Sequence, residues 1–368
     1  KQKERDDLRK LNESATRYFQ SLLKNPELGL SARNYLSSRH FDAEILERYR
    51  IGWATPTWRG LLDHVQKNSS LSPEKLVQSG LVIQKEDSAT VYDRFRGRVI
   101  FPIKDIHGNI IGFGGRVTAE EEQPKYLNSP ETILYQKSET LFGMDQAKQA
   151  IRKENQAILV EGYFDQMRAV QHGIENVVAT CGTALTAKQA GVLRNHAETV
   201  ILIFDSDPAG RSATQKGFDI LLEQGLNVKI VALPEGQDPD SFIHEKGADK
   251  FREEIHNAKH FIESYIDALI KKTPGNNPED RVKMANQVLP LLAKIKNSVE
   301  RGAWLEKFTS KTGIDDWTFL KELKKALSQN QTQLSEKNND LDPILNLEKH
   351  LIHLILSNKE TARIILSE

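Results

Sequence analysis

The chain has 368 residues, with Lys+Arg and Asp+Glu both at 51 and a formal net charge of zero. That balance excludes a uniformly basic nucleic-acid coat, so any nucleic-acid surface must be a local patch offset by acid elsewhere. The single cysteine, Cys181, excludes an internal disulfide framework and any zinc site built on two or more cysteines. No apolar run approaches the ~20 residues that span a bilayer, so no membrane role is expected. The charged start, without a Met or a signal-peptide core, leads us to expect a piece of a longer protein. At roughly 150 residues per domain, two or three domains are expected.

Residues 6–24 place Leu8, Leu11, Ala15, Tyr18, Phe19, Leu22 and Leu23 at helical spacing. Short helices are expected over 32–36 and 42–49. From 51 to 117 the pattern turns β-type, with a hairpin of 98–103 and 110–116 about the turn signal at 107–109. From 157 to 233, strands at 157–160, 176–180, 200–204 and 228–233 alternate with helices near 164–172, 187–195 and 210–224. Thr186 with Gln189 reads as a capping box. Such alternation of nearly all-apolar strands with helices implies a parallel sheet covered on both faces. Helices follow from about 250, with Trp304 and Trp317 expected in their core. The polar stretch 328–340 has no apolar period and reads as a linker. Apolar helices resume over 345–366.

The fold class expected is α/β. A mixed N-terminal α+β subdomain spans 1–150, a central parallel-sheet α/β subdomain 151–250 and a C-terminal helical bundle 251–327. A linker follows over 328–342, then a last helical segment over 343–368.

The chemistry concentrates at strand ends. Glu161 follows the strand at 157–160, Asp205 and Asp207 follow the one at 200–204, and Asp238 and Asp240 follow the last after a short loop. In a parallel sheet these ends share one edge, where α/β proteins place ligands. Gathered carboxylates repel unless a cation is bound, and hard oxygen donors suit Mg²⁺ or Mn²⁺. Phosphoryl transfer is the natural chemistry. Any one of these acids read alone is equally a turn or cap residue; their ordered recurrence at successive strand ends favours a site.

Glu161-Gly-Tyr-Phe-Asp165, Asp205-Ser-Asp-Pro-Ala-Gly-Arg211 and Glu235-Gly-Gln-Asp-Pro-Asp240 resemble the three motifs of the Toprim domain. Tyr92-Asp-Arg-Phe-Arg-Gly-Arg-Val-Ile-Phe-Pro-Ile103, Ile111-Gly-Phe-Gly-Gly-Arg116 and Pro124-Lys-Tyr-Leu-Asn-Ser-Pro-Glu-Thr132 resemble the DnaG-type bacterial DNA primases. The likeness covers about residues 10–327, that family's RNA polymerase domain. Pro208 stands where the family usually has a basic residue. The family's N-terminal zinc-binding domain has no counterpart here, so no zinc is expected in this chain. Residues 345–366 resemble the opening of its helicase-binding domain.

The resemblance implies DNA-templated synthesis of short RNA primers from ribonucleoside triphosphates on single-stranded DNA during chromosome replication, by two-metal nucleotidyl transfer. It implies Mg²⁺ or Mn²⁺ held by Asp205, Asp207, Asp238 and Asp240. Glu161 would be a further ligand or the acid/base group, and Asp165 would support it or hold another ion. Expected partners are the single-stranded DNA template, the RNA primer and, through a C-terminal domain mostly missing here, the replicative helicase. A monomer acting at the replication fork in the bacterial cytoplasm is expected. Another Toprim enzyme, such as a metal-dependent nuclease, is the alternative.

Between 94 and 117 the cations Arg94, Arg96, Arg98, Lys104 and Arg116 face only one acid, Asp105. On one strand Arg94, Arg96 and Arg98 would share a face. By resemblance, Arg94, Arg96, Arg116, Lys125 and Lys137 would hold nucleotide phosphates and the DNA–RNA hybrid. Tyr126 and Asn128 would add stacking or phosphate hydrogen bonds. Cys181 is expected as a small core residue.

Overall fold

The computed structural model describes residues 2–68, 73–85, 90–119, 123–182, 184–205, 208–273 and 277–339. The chain divides into two compact units, Lys1–Phe261 and Ile262–Glu368.

The first unit opens with α1 (Gln2–Lys24), which buries Leu8, Leu11, Ala15, Phe19 and Leu23 on one stripe. Then come α2 (Leu30–Ser38), α3 (Ala43–Arg48), β1 (Gly52–Ala54), α4 (Gly60–Asn68), α5 (Pro73–Gln78) and the paired strands β2 (Val82–Gln84) and β3 (Val91–Asp93). The expected hairpin is β4 (Arg98–Lys104) with β5 (Ile110–Val117). Its turn is fixed by Asp105 Oδ1, which accepts the N–H groups of His107 and Asn109 at 2.9 Å each. With β6 (Tyr126–Asn128) these strands make an antiparallel sheet in the order β1-β4-β5-β6. Buried Asn12 of α1 donates to the Ile110 carbonyl at 3.1 Å and ties the helix to the sheet.

The one-faced arginine stripe does not form. β4 begins only at Arg98, and Arg94 and Arg96 lie in the connection after β3, broken by Gly97 at φ +58°. Arg98 itself is buried, with its guanidinium turned to the carbonyls of Gly115 and Lys125.

The parallel-sheet part runs α6 (Met144–Glu154), β7 (Gln156–Val160), α7 (Tyr163–Gln171), β8 (Val177–Ala179), α8 (Ala187–Arg194), β9 (Thr199–Leu202), α9 (Pro208–Glu223), β10 (Asn227–Ile230), α10 (Pro239–Lys246), α11 (Ala248–His256) and β11 (Lys259–His260). The strand order is β11-β10-β9-β7-β8, parallel except for β11. The chain leaves β7 to β8 on one side and returns to β9 on the other. The order therefore reverses at β7, the kind of point where open α/β sheets bind ligands.

The parts read from sequence as separate at 150/151 share one continuous core in the first unit. The Tyr163 ring of α7 stacks on Phe101 of β4 at 4.7 Å and meets Phe142 edge-on at 4.8 Å. Gly114 of β5 makes this approach possible: a Cβ there would lie 2.5 Å from Tyr163 Cζ. Gly114→Ala is therefore expected to cost about 1–3 kcal/mol by overpacking, read as a lower melting temperature. An unchanged melt would mean the ring has room to move.

The second unit holds α12 (Phe261–Lys272) from Ile262 onward, α13 (Pro278–Ala293), α14 (Ser298–Thr312) and α15 (Asp316–Asn339). Met284, Val288, Leu292, Phe308, Phe319 and Leu323 are buried in it. Trp304 is buried as expected, whereas Trp317 is 70% exposed. The buried stripe of α15 passes through Phe319 and Leu323, and Trp317 lies off it, with Lys321 Nζ 5.8 Å from its ring. α15 also continues through most of the stretch read as a linker. Its Leu, Lys, Glu and Gln residues are good helix formers, so a helix persists there without an apolar period. The segment 343–368 lies outside the described residues. No helix among the described residues is long and apolar enough to cross a membrane.

Candidate active site at the strand ends of the parallel sheet

Glu161 directly follows β7, Asp205 follows β9, and Asp238 caps α10 after β10. Because these strands are parallel, the three carboxylates arrive at one sheet edge, and they line a common cavity of about 480 Å³. Asp165 and Asp240 line it too. Asp207 lies outside the described residues.

The carboxylates divide by what their oxygens already do. Asp165 is buried; its Oδ2 accepts the Gly162 N–H at 3.0 Å and its Oδ1 the Asp240 N–H at 3.1 Å. Burial pushes its carboxyl well above the usual range, with Asp238 and Asp205 adding to the push. Asp240 is also buried and sits between two guanidiniums. Arg168 Nε donates to its Oδ1 and Arg39 Nη1 to its Oδ2, both at 2.7 Å. Asp165 and Asp240 thus bind the protein to itself. Asp238 accepts the Ser241 N–H at 2.7 Å as the cap of α10 and still borders the cavity. Glu161 and Asp205 are half-buried at its wall.

Among the described residues, no group of three or more His, Cys, Asp or Glu side chains could hold a metal ion as they stand. The donor set nonetheless suits Mg²⁺, which keeps several waters and uses one or two carboxylates together with substrate phosphates. Glu161, Asp205 and Asp238 border one cavity with their hard oxygens, so one or two carboxylates per ion are within its lining.

The lining is also basic and aromatic. Arg116 of β5 and Lys125 and Tyr126 beside or on β6 line the same cavity. Arg116 donates to the Tyr126 hydroxyl at 2.6 Å, and its guanidinium lies 5.1 Å from the Tyr126 and Phe164 ring centres. Burial pushes the Tyr126 phenol up, against the pull of Arg116. Lys125 is exposed. Arg39 was missed from sequence. It lines the cavity and stacks over Phe164 at 5.0 Å while bridging Asp240. Its partner is 201 residues away, so no local pattern marks it.

Four other expected binding residues do not line the cavity. Arg94 is half-buried and donates to the Asn128 carbonyl at 3.2 Å. Arg96 donates to the Asp93 carbonyl and lies over Trp58 at 4.3 Å and Tyr92 at 5.2 Å. Asn128 joins Cys181 and Tyr163 through its side-chain amide. Lys137 sits in the 131–140 turn, where its N–H donates to Glu131 and its carbonyl accepts from Gln189. Cys181 is buried as expected, but it borders the cavity and has a left-handed backbone, φ +55°.

Residues 18–148 match the family described as DNA primase catalytic core, N-terminal domain, and 158–243 match Toprim-like. Residues 265–316 match the DnaB-helicase binding domain of primase. That match falls on α12–α14, upstream of the segment read from sequence as the start of such a domain. A DNA primase of Halalkalibacterium halodurans is 34% identical over 96% of this chain and 62% of its own length. One from Aquifex aeolicus is 36% identical over 90% of this chain and 65% of its own. The chain thus spans under two thirds of these relatives. The crystal structure of a DNA primase domain from Pseudomonas aeruginosa superposes with a TM-score of 0.78 at 34% identity, covering 85% of this chain and 98% of that one. A DnaG primase catalytic domain bound to single-stranded DNA gives 0.77 at 33% identity, over 86% and 100%. With two sheets in one core, acids at the parallel strand ends and these likenesses along its length, the chain belongs to the DnaG-type bacterial DNA primase family, as its catalytic core.

Proposed function

We propose that this chain polymerises ribonucleoside triphosphates into short RNA primers on a single-stranded DNA template. One observation carries the reading: Glu161, Asp205 and Asp238 line the same cavity of about 480 Å³ as Arg116 and Lys125. That pairing of hard carboxylates with fixed cations suits a metal-bound triphosphate. Glu161, Asp205 and Asp238, with Asp207 by its motif, would hold Mg²⁺ or Mn²⁺. An ion held there would supply activation of the attacking 3′-hydroxyl and neutralisation of the leaving pyrophosphate. Arg116 and Lys125 offer donors to phosphate oxygens, and Tyr126 lines the cavity beside them. Asp165 and Asp240 keep the loops that carry Gly162 and Asp238 in place. The helicase partner would engage through the α12–α14 region, and the chain would act in the bacterial cytoplasm.

The test is incubation of the chain with single-stranded DNA, Mg²⁺ and labelled ribonucleoside triphosphates. Short RNA products are expected; degradation of the DNA with no incorporation would instead identify a nuclease. The exposed Lys125 offers a cleaner probe of phosphate contact than the buried Arg116. Lys125→Ala is expected to make the salt slope of single-stranded DNA binding shallower by about 0.7 without changing the melting temperature. An unchanged slope would return Lys125 to the solvated surface.

A further inference from the structure

Asn128 ends β6, three residues beyond Lys125. Its side-chain amide is spent inside the protein. Nδ2 donates to the Cys181 carbonyl at 2.9 Å, and Oδ1 accepts from the Tyr163 hydroxyl at 2.8 Å. Both partners belong to the cavity wall. Cys181 and Gly182 are consecutive left-handed residues, at φ +55° and +79°. A non-glycine residue holds that conformation only where its surroundings over-determine it. Two bonds do so here: the Cys181 N–H donates to the Glu161 carbonyl at 2.9 Å, and its own carbonyl takes the Asn128 amide. Arg94 in turn steadies the Asn128 backbone through its carbonyl. A continuous set of bonds thus runs from Arg94 through Asn128 and Cys181 to the backbone of Glu161.

We propose that Asn128 is a positioning residue: it latches the Cys181 peptide and the Tyr163 hydroxyl, and so sets the wall at 180–182 and the backbone of Glu161 relative to β6. It acts without touching nucleotide or template. The role of the latch in turnover rests on the primase reading; the latch itself does not.

Cys181 is the only cysteine of the chain and is buried, so thiol labelling with a small aromatic disulfide reads the latch independently of activity. Asn128→Ala is expected to speed labelling by about fivefold, the ratio produced by losing one hydrogen bond of ordinary net strength. The increase should stay flat across sub-denaturing urea, which marks local release rather than global unfolding. RNA synthesis by Asn128→Ala should lose turnover by a similar factor, with KM for nucleotide and Kd for single-stranded DNA changed less than about twofold. If Asn128→Ala does not fold, Asn128→Asp, which loses the donor and keeps the acceptor, takes its place. Unchanged labelling in the folded variant would overturn the latch. A KM or Kd raised with turnover intact would make Asn128 a direct ligand. If the wild-type chain makes no RNA, the primase reading fails, and labelling still decides the latch.

Discussion

Asp240→Ala is expected to destabilise the first unit by about 3–5 kcal/mol, the cost of removing one partner from a buried ion pair. The Arg168 side chain is 3% exposed and Asp240 9%, so the guanidinium would remain buried without its carboxylate. The loss extends beyond one pair, because Arg39 binds the other oxygen of Asp240 and Arg168 also donates to the carbonyls of His40 and Arg39. This knot joins α7, α10 and the end of α2. Thermal melting should therefore fall by many degrees, and Asp240→Asn, which retains an acceptor, should fall less. If Asp240→Ala melts like the wild type yet loses activity, Asp240 is a metal or substrate ligand instead.

Glu161→Gln and Asp205→Asn should behave in the opposite way. Activity is expected to fall by more than about 100-fold, the upper end of what partners one step removed from a metal contribute. Stability should hold or rise slightly, because the acids of this edge repel one another. Asp205 and Asp238 both push the Asp165 carboxyl upward, so Asp205→Asn relieves a cost already present in the fold, whereas Glu161→Gln is expected only to leave the melt unchanged. Primer synthesis and melting measured on the same samples check both halves. Near-normal synthesis by either variant would remove that residue from the site, and a large drop in melting temperature would make it a structural acid like Asp240.

The contrast between these acids was not legible in the sequence, where Asp238-Pro-Asp240 reads as a matched pair. Strand ends were legible because apolar runs stop at Glu161 and near Asp205, and parallel topology then brings them to one edge. The Thr186–Gln189 capping box appears as read, with Thr186 Oγ1 accepting the Gln189 N–H at 3.1 Å and Gln189 Oε1 the Thr186 N–H at 3.0 Å. Both signals are local. The arginine partners of Asp240 are 201 and 72 residues away, and no spacing encodes them. Alternation of Arg94, Arg96 and Arg98 suggested one strand face, but Gly97 in a left-handed turn broke the strand there. Trp317 was misplaced because its helix buries the stripe of Phe319 and Leu323 instead.

The central claim is that the edge formed by Glu161, Asp205 and Asp238 holds the divalent ions and the triphosphate. Anomalous diffraction from crystals soaked with Mn²⁺ and a ribonucleoside triphosphate tests it most directly. Manganese peaks are expected against these three carboxylates, with the triphosphate reaching toward Arg116 and Lys125 and with Asp240 still bound to Arg39 and Arg168. Manganese bound elsewhere, or on an Asp240 released from its arginines, would contradict it.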